Sequence, residues 1–193
     1  AGGAGAPHPD VRAAALSLGA REAAAVPGGG SDTWDALVSL YGELEARGDA
    51  RGASRVRAAL SGAGGEWAAK ALELALGDSV RGQDAPYILY GVAGSGHAGR
   101  VQAWDFLRAR YVELEAKAGV GGAAASGLGS LVKSVAGGFD TPERADEAAA
   151  VFDAHPTADV GRYRAQTLES IAKNVKWRER NAAEACAWLR ARA

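Results

Sequence analysis

Residues 31–50 read SDTWDALVSLYGELEARGDA, and this stretch decides the fold. Trp34, Leu37, Val38, Tyr41 and Leu44 recur at the i, i+3, i+4, i+7, i+10 spacing of one helical face. Gly48 follows where a helix end belongs, and Asp49 can cap a second helix carrying Val56 and Leu60. A helix, a tight turn and another helix form the unit from which the rest is read.

Downstream, glycines at 62–65 break the chain before Trp67, Ala71, Leu74 and Ala75 resume the period. Asp84 reads as an N-cap, with Pro86 tolerated in the first turn of a helix through Tyr87 and Val92; a strand is the alternative for 87–92. After the break at Gly94–Gly99, Val101, Trp104, Leu107, Tyr111 and Leu114 predict one long amphipathic helix ending at Gly119. Leu128, Leu131, Val132 and Val135 predict the next. Thr141-Pro142-Glu143 supplies a cap, a first-turn proline and an acid at the positive helix end. His155-Pro156 closes that helix, and a last one runs through Tyr163, Ile171, Val175 and Trp177 to Leu189.

Composition supports an all-α chain. Of 193 residues, 46 are alanine, the best helix former, and only two are isoleucine. With few large aliphatic residues, Trp34, Trp67, Trp104, Trp177 and Trp188 read as the buried anchors, each contributing roughly 4 to 6 kcal/mol gross on burial. About ten helices joined by short glycine turns make either a bundle or an α-solenoid. The spacing of Trp34, Trp67 and Trp104 favours a degenerate solenoid. Residues 1–8 read as a flexible lead-in and 9–193 as a single helical-repeat domain. The absence of methionine, even at position 1, reads as a piece of a longer chain.

Net charge of −1 argues against a surface that gathers nucleic acid or coats a membrane, and no apolar run approaches membrane-spanning length. A single cysteine, Cys186, excludes an internal disulfide framework and points to a reducing, cytoplasmic setting. His8, His97 and His155 lie far apart without ligand-spaced partners, so no metal site and no catalytic centre are expected in this chain. Gly94-Ser95-Gly96 lacks the strand and lysine of a phosphate loop. Lys173, Lys176, Arg178 and Arg180 around Trp177 read as a solvated face over a buried tryptophan rather than a nucleic-acid surface.

The most informative segment is Val80-Arg81-Gly82-Gln83-Asp84. In one reading Asp84 caps a helix and Arg81 pairs with a carboxylate. In the other, Arg81 or Gln83 points into a cavity or meets another domain. The residues leave both open.

Val80-Arg81-x-Gln83-Asp84, Gly99-Arg100-x-x-Ala103-Trp104-x-Phe106-Leu107, Leu131-x-Lys133-Ser134, Phe139-x-Thr141, Phe152-x-x-His155-Pro156 and Ile171-x-x-Asn174-x-x-Trp177-x-x-Arg180-Asn181 with Trp188-Leu189, in that order, resemble the C-terminal helical domain of zinc aminopeptidases of the puromycin-sensitive and endoplasmic-reticulum type. The resemblance is carried by about 66–190 and is looser over 9–65; the glycine-rich stretch at 121–127 departs from it. It implies a right-handed superhelix of HEAT-like antiparallel helix hairpins that arches over a separate catalytic domain. That domain holds the zinc, so this chain would hold no cofactor of its own. The implied partners are that catalytic domain and peptide substrates. The implied role is confinement and selection of peptides, with Arg81, Gln83, Asp84 and Arg100 as substrate or interdomain contacts. A stand-alone helical-repeat scaffold for protein partners is the alternative.

Overall fold

The computed structural model describes residues 8, 11–28, 30–119, 127–156 and 159–192. The expected flexible lead-in, His8 apart, and the divergent glycine-rich stretch, Gly127 apart, lie outside them. Among the described residues there are ten helices and no strand, so the chain is all-α. The segment from Tyr87 to Val92 is helical, within α5 (Ala85–Gly94). The helices gather into two compact units, 1–106 and 107–193.

The first unit is built by α1 (Arg12–Ala24), α2 (Ser31–Ala46), α3 (Ala50–Gly62), α4 (Trp67–Leu76), α5 and most of α6 (His97–Ala109). Helix α3 is its hub, packing on α1, α2, α4 and α5. Its start follows from the sequence: Gly48 takes φ +73° after α2, and the Asp49 carboxylate accepts the Gly52 N–H at 2.9 Å. Gly30, at φ +76°, begins α2 with the Ala23 carbonyl so close that an added Cβ would lie 2.5 Å from it. Gly91 of α5 faces Ser61 of α3, and a Cβ there would meet the Ser61 Oγ at 2.0 Å. The missing side chain lets these two helices approach closely.

Trp34, Trp67 and Trp104 are buried, as the periodicity predicts, and the Trp34 and Trp67 rings meet edge to face at 5.2 Å. Around them lie Tyr41, Val56, Leu60, Ile88, Leu89 and Val92, all almost fully enclosed.

The second unit holds the end of α6, then α7 (Tyr111–Gly119), α8 (Gly127–Ala136), α9 (Pro142–Ala154) and α10 (Val160–Arg190). The single long helix expected from 101 to 119 is in fact two, interrupted at Arg110. No glycine or proline lies at 109–111, and Trp104, Leu107, Tyr111 and Leu114 are all buried on either side of the break. The apolar period therefore runs straight through it. Tyr111 opens α7 with its ring stacked on His155 at 3.6 Å. Helix α9 has the expected start: Thr141 Oγ1 accepts the Arg144 N–H, and Pro142 is the first helical residue. His155 caps its end.

Helix α10 packs on α8 and α9 through Thr167 and Ile171, both fully enclosed. Asn174 donates both amide hydrogens, to the carbonyls of Gly137 at 3.0 Å and Phe139 at 2.9 Å, tying the α8–α9 connection to α10. Past that point the helix has no buried residue. Trp177 and Trp188, expected in the core, are 61% and 55% exposed. Their spacing marks a helix face, but among the described residues nothing in that part of α10 is buried.

Candidate functional site

Arg81, Gln83 and Asp84 lie in the α4–α5 connection, and the structure surrounds them with residues of α2 and α3. Asp84 stands at the start of α5, where the sequence suggests a cap. Its carboxylate makes no capping hydrogen bond. Instead it is buried, with Oδ1 accepting from Arg57 Nη1 and Oδ2 accepting from Arg81 Nε at 2.8 Å. Two guanidinium donors offer stronger, charge-assisted bonds than a backbone amide, and they win the competition for its oxygens.

Arg81 also reaches Glu45 of α2, Nε to Oε2 at 3.1 Å. The local alternative for this segment, an arginine held by carboxylates, is thus present. Arg81 still leaves half its side chain in solvent. These hydrogen bonds and charges hold its guanidinium pKa above the ordinary value, Asp84 being the first cause and Glu45 a lesser one.

Arg57 is the residue that sequence reasoning missed. It sits on α3 among the helix's ordinary cations, and nothing in its spacing marks it out. Its guanidinium is mostly enclosed, bonded to Asp84 and lying over the Tyr87 ring at 4.9 Å from the centroid. Tyr87 is 55% exposed and meets Tyr90 edge to face. Ser54, Arg57, Gln83, Asp84 and Tyr87 line a polar cleft of about 550 Å³. Gln83 is exposed at its edge.

Beneath the cluster, Tyr41 is enclosed and its hydroxyl has no hydrogen-bond partner among the described residues. Burial first, then the Glu45 and Asp84 charges, push its pKa up, against the opposing pull of Arg57 and Arg81. Tyr41 is therefore a neutral donor at physiological pH, not a base.

Arg100 stands apart from these residues. It lies half-buried on α6 and is not among the residues lining the cleft. The structure brings Arg81, Gln83 and Asp84 together and adds Arg57, Glu45 and Tyr87 to them.

The arrangement is one of paired charges. It holds two guanidinium groups and two carboxylates in mutual pairs, an amide, and an aromatic face. Ser54 adds a hydroxyl, which accepts from Arg57 Nη2 at 3.4 Å. Zinc, which the resemblance implies for a separate domain, does not fit here: among the described residues no three His, Cys, Asp or Glu side chains come together. His97 opens α6 in the first unit, and His155 is stacked on Tyr111 in the second. No helix of the described residues is long and apolar enough to cross a membrane.

Comparison with known proteins agrees with the resemblance. Residues 1–173 match the family described as the ERAP1-like C-terminal domain. Aminopeptidase M1-B of Oryza sativa subsp. japonica is 29% identical over 147 residues, which are 76% of this chain and 16% of that protein. Endoplasmic reticulum aminopeptidase 1 of Homo sapiens is 29% identical over 114 residues, 58% of this chain and 12% of that protein. The chain thus spans only a small part of the length of these relatives. With the match running through both helical units and all of the cleft, the chain belongs to the ERAP1-like C-terminal domain family.

Proposed function

We propose that this chain is the non-catalytic C-terminal domain of a zinc-dependent aminopeptidase, in which it covers the active-site cavity and helps to confine and select peptide substrates. The observation that carries the reading is the family match over 1–173, together with relatives that are named aminopeptidases and are several times longer. In this reading 9–193 act as one domain, a superhelix of helix hairpins, and its partners are the parent's own catalytic domain and the peptide. The zinc belongs to that catalytic domain, and the parent works in a reducing, cytoplasmic compartment.

Within the domain, Arg81 and Gln83 are the contacts to peptide or catalytic domain, with Arg100 as a further contact from α6. Asp84 contributes by orienting: its buried carboxylate fixes two arginines, so the exposed part of Arg81 is presented in one geometry. Polar side chains pre-ordered in this way lose little freedom on meeting a ligand.

The test is kinetic and uses the full-length parent. Arg81→Ala and Gln83→Ala should leave turnover of a single-residue reporter unchanged and raise KM for a peptide of about ten residues several-fold, because remote contacts act on long substrates only. Unchanged constants on both substrates, with unchanged stability, would remove these residues from the proposal. The chain alone should neither cleave peptides nor retain stoichiometric zinc; activity or bound zinc would overturn the assignment of catalysis to another domain.

A further inference from the structure

Tyr87 departs from the core aromatic side chains of the first unit. Trp34, Tyr41, Trp67 and Trp104 are enclosed, whereas Tyr87, on the first turn of α5, is more than half exposed and lines the polar cleft. Its ring is nonetheless held in place. The Arg57 guanidinium lies over it, and Tyr90 meets it edge to face at 5.9 Å. Arg57 is fixed in turn by Asp84 and by Ser54. The ring is therefore ordered before a ligand arrives, and a contact made on it costs little further freedom.

The charges of the cleft decide what can lie against that ring. At about 550 Å³ it has the size of a small-ligand pocket, and its lining holds one guanidinium, of Arg57, and one carboxylate, of Asp84. The two are bonded to each other. A cationic side chain entering the cleft meets Arg57, which already sits on the ring, and an anionic one meets Asp84. Neither finds an unshared counter-ion to offset the loss of its hydration. Arg81, whose exposed half could attract an anion, is not among the lining residues. A neutral side chain enters without that cost, and Tyr87 offers it the one aromatic surface of the lining. Another ring matches this surface best, because aromatic pairs gain beyond the area they bury.

Gln83 supplies a second point of contact. Its amide is exposed at the cleft edge and has no hydrogen-bond partner among the described residues. A carboxamide carries donor and acceptor together, the complement of the C=O and N–H of a peptide unit. An aromatic platform beside a free amide thus matches the two halves of a single residue in a peptide.

We infer that the cleft is a subsite for one aromatic residue of the peptide substrate, with Tyr87 as its specificity-determining side chain and Gln83 bonded to that residue's peptide unit. This selectivity rests on the proposed peptide-confining role and extends it to a class of side chain.

The experiment uses the full-length parent and peptides of about ten residues with a common first residue. Phe, Leu, Lys or Glu is placed in turn at each position from the third to the last. At one position KM for Phe should lie about three- to tenfold below that for Leu, and further below those for Lys and Glu, with similar kcat because the contact is remote from the reacting bond. Tyr87→Ala should reduce the advantage of Phe over Leu to within about twofold, while Tyr87→Phe, which keeps the ring, should retain it. Each ratio compares two peptides on one variant, so any loss of folded protein cancels. The inference is overturned if no position has a preference for Phe that depends on Tyr87, or if Lys or Glu is favoured at the position that does depend on it. It is equally overturned if Tyr87→Ala alters a single-residue reporter by the same factor as the peptides, since Tyr87 would then meet the catalytic domain. Arg81→Ala separates the two levels: an effect on long peptides there, with none in Tyr87→Ala, overturns the aromatic subsite alone, and no effect in either variant removes the peptide-confining role with it.

Discussion

The first unit and the end of α10 use the same residue type in opposite ways. Trp34, Trp67 and Trp104 are enclosed among six helices' worth of apolar side chains, whereas Trp177 and Trp188 stand on a helix that continues past its neighbours. Both sets obey the same helical spacing. The difference teaches that periodicity identifies the face a helix would bury, and that burial itself requires a second element at the right height along the axis. In the first unit α3 supplies that element to four neighbours; along α10 the support from α8 and α9 stops at Asn174.

Removing tryptophan from each region gives the sharpest break. Trp67→Ala should destabilise the chain by about 3–5 kcal/mol, as a large buried aromatic does when deleted. Trp177→Ala should cost no more than about 0.5 kcal/mol, the ordinary value for an exposed site. Urea unfolding of the two variants measures both; comparable losses would mean that the end of α10 is packed in solution.

The buried ion cluster comes next. Asp84→Ala leaves Arg57, largely enclosed, without its carboxylate, and should cost about 2–3 kcal/mol, less than a fully buried pair because Arg81 is half in solvent. The reverse loss, Arg81→Ala, should be much milder because Arg57 still neutralises Asp84. If the two variants unfold at the same urea concentration, the ranking of Arg57 over Arg81 is wrong.

Close helix approach is a third distinction between the regions. Gly91→Ala would drive a Cβ into Ser61 and should cost about 1–3 kcal/mol, recovered in part by Ser61→Gly. An alanine at Ala185 or Ala182 exchanged for a larger residue on the free part of α10 should be nearly neutral. Thermal unfolding of the single and double variants checks this.

The smallest effect is in alkaline solution and concerns the second unit's packed portion. Burial, with Glu115 adding to it, pushes the Tyr111 hydroxyl up to about 12. The unfolded chain releases that proton near the ordinary value of 10.0 while the folded chain retains it. The Tyr111 contribution is therefore complete below pH 10 and is lost as pH rises toward about 12. Tyr111→Phe should flatten that part of the stability profile. Tyr41 shifts in the same direction, so some alkaline loss persists in the variant. An unchanged profile would show that Tyr111 is not enclosed.

Much of the fold can be read without coordinates. The caps at Asp49 and Thr141 follow from local chemistry, because a side-chain oxygen one turn from free amides finds them whatever the rest of the chain does. The glycine at 48 is legible for the same reason. The break at Arg110 is not, since its residue types are compatible with an uninterrupted helix. At the candidate site the turn itself stood out by its mixture of arginine, amide and carboxylate, yet Asp84 behaves differently from its local expectation.

What the amino-acid order determined alone is local: all-helical structure, the helix faces, most of the ends and the family resemblance. What only the tertiary structure decided is where those faces meet. It placed Arg57 and Glu45 beside Arg81 and Asp84, turned a capping carboxylate into a shared counter-ion, and left two tryptophans uncovered. The physical reason is that a backbone hydrogen bond spans four residues, whereas an ion pair or a buried ring depends on residues whose separation in sequence carries no trace of their distance in space.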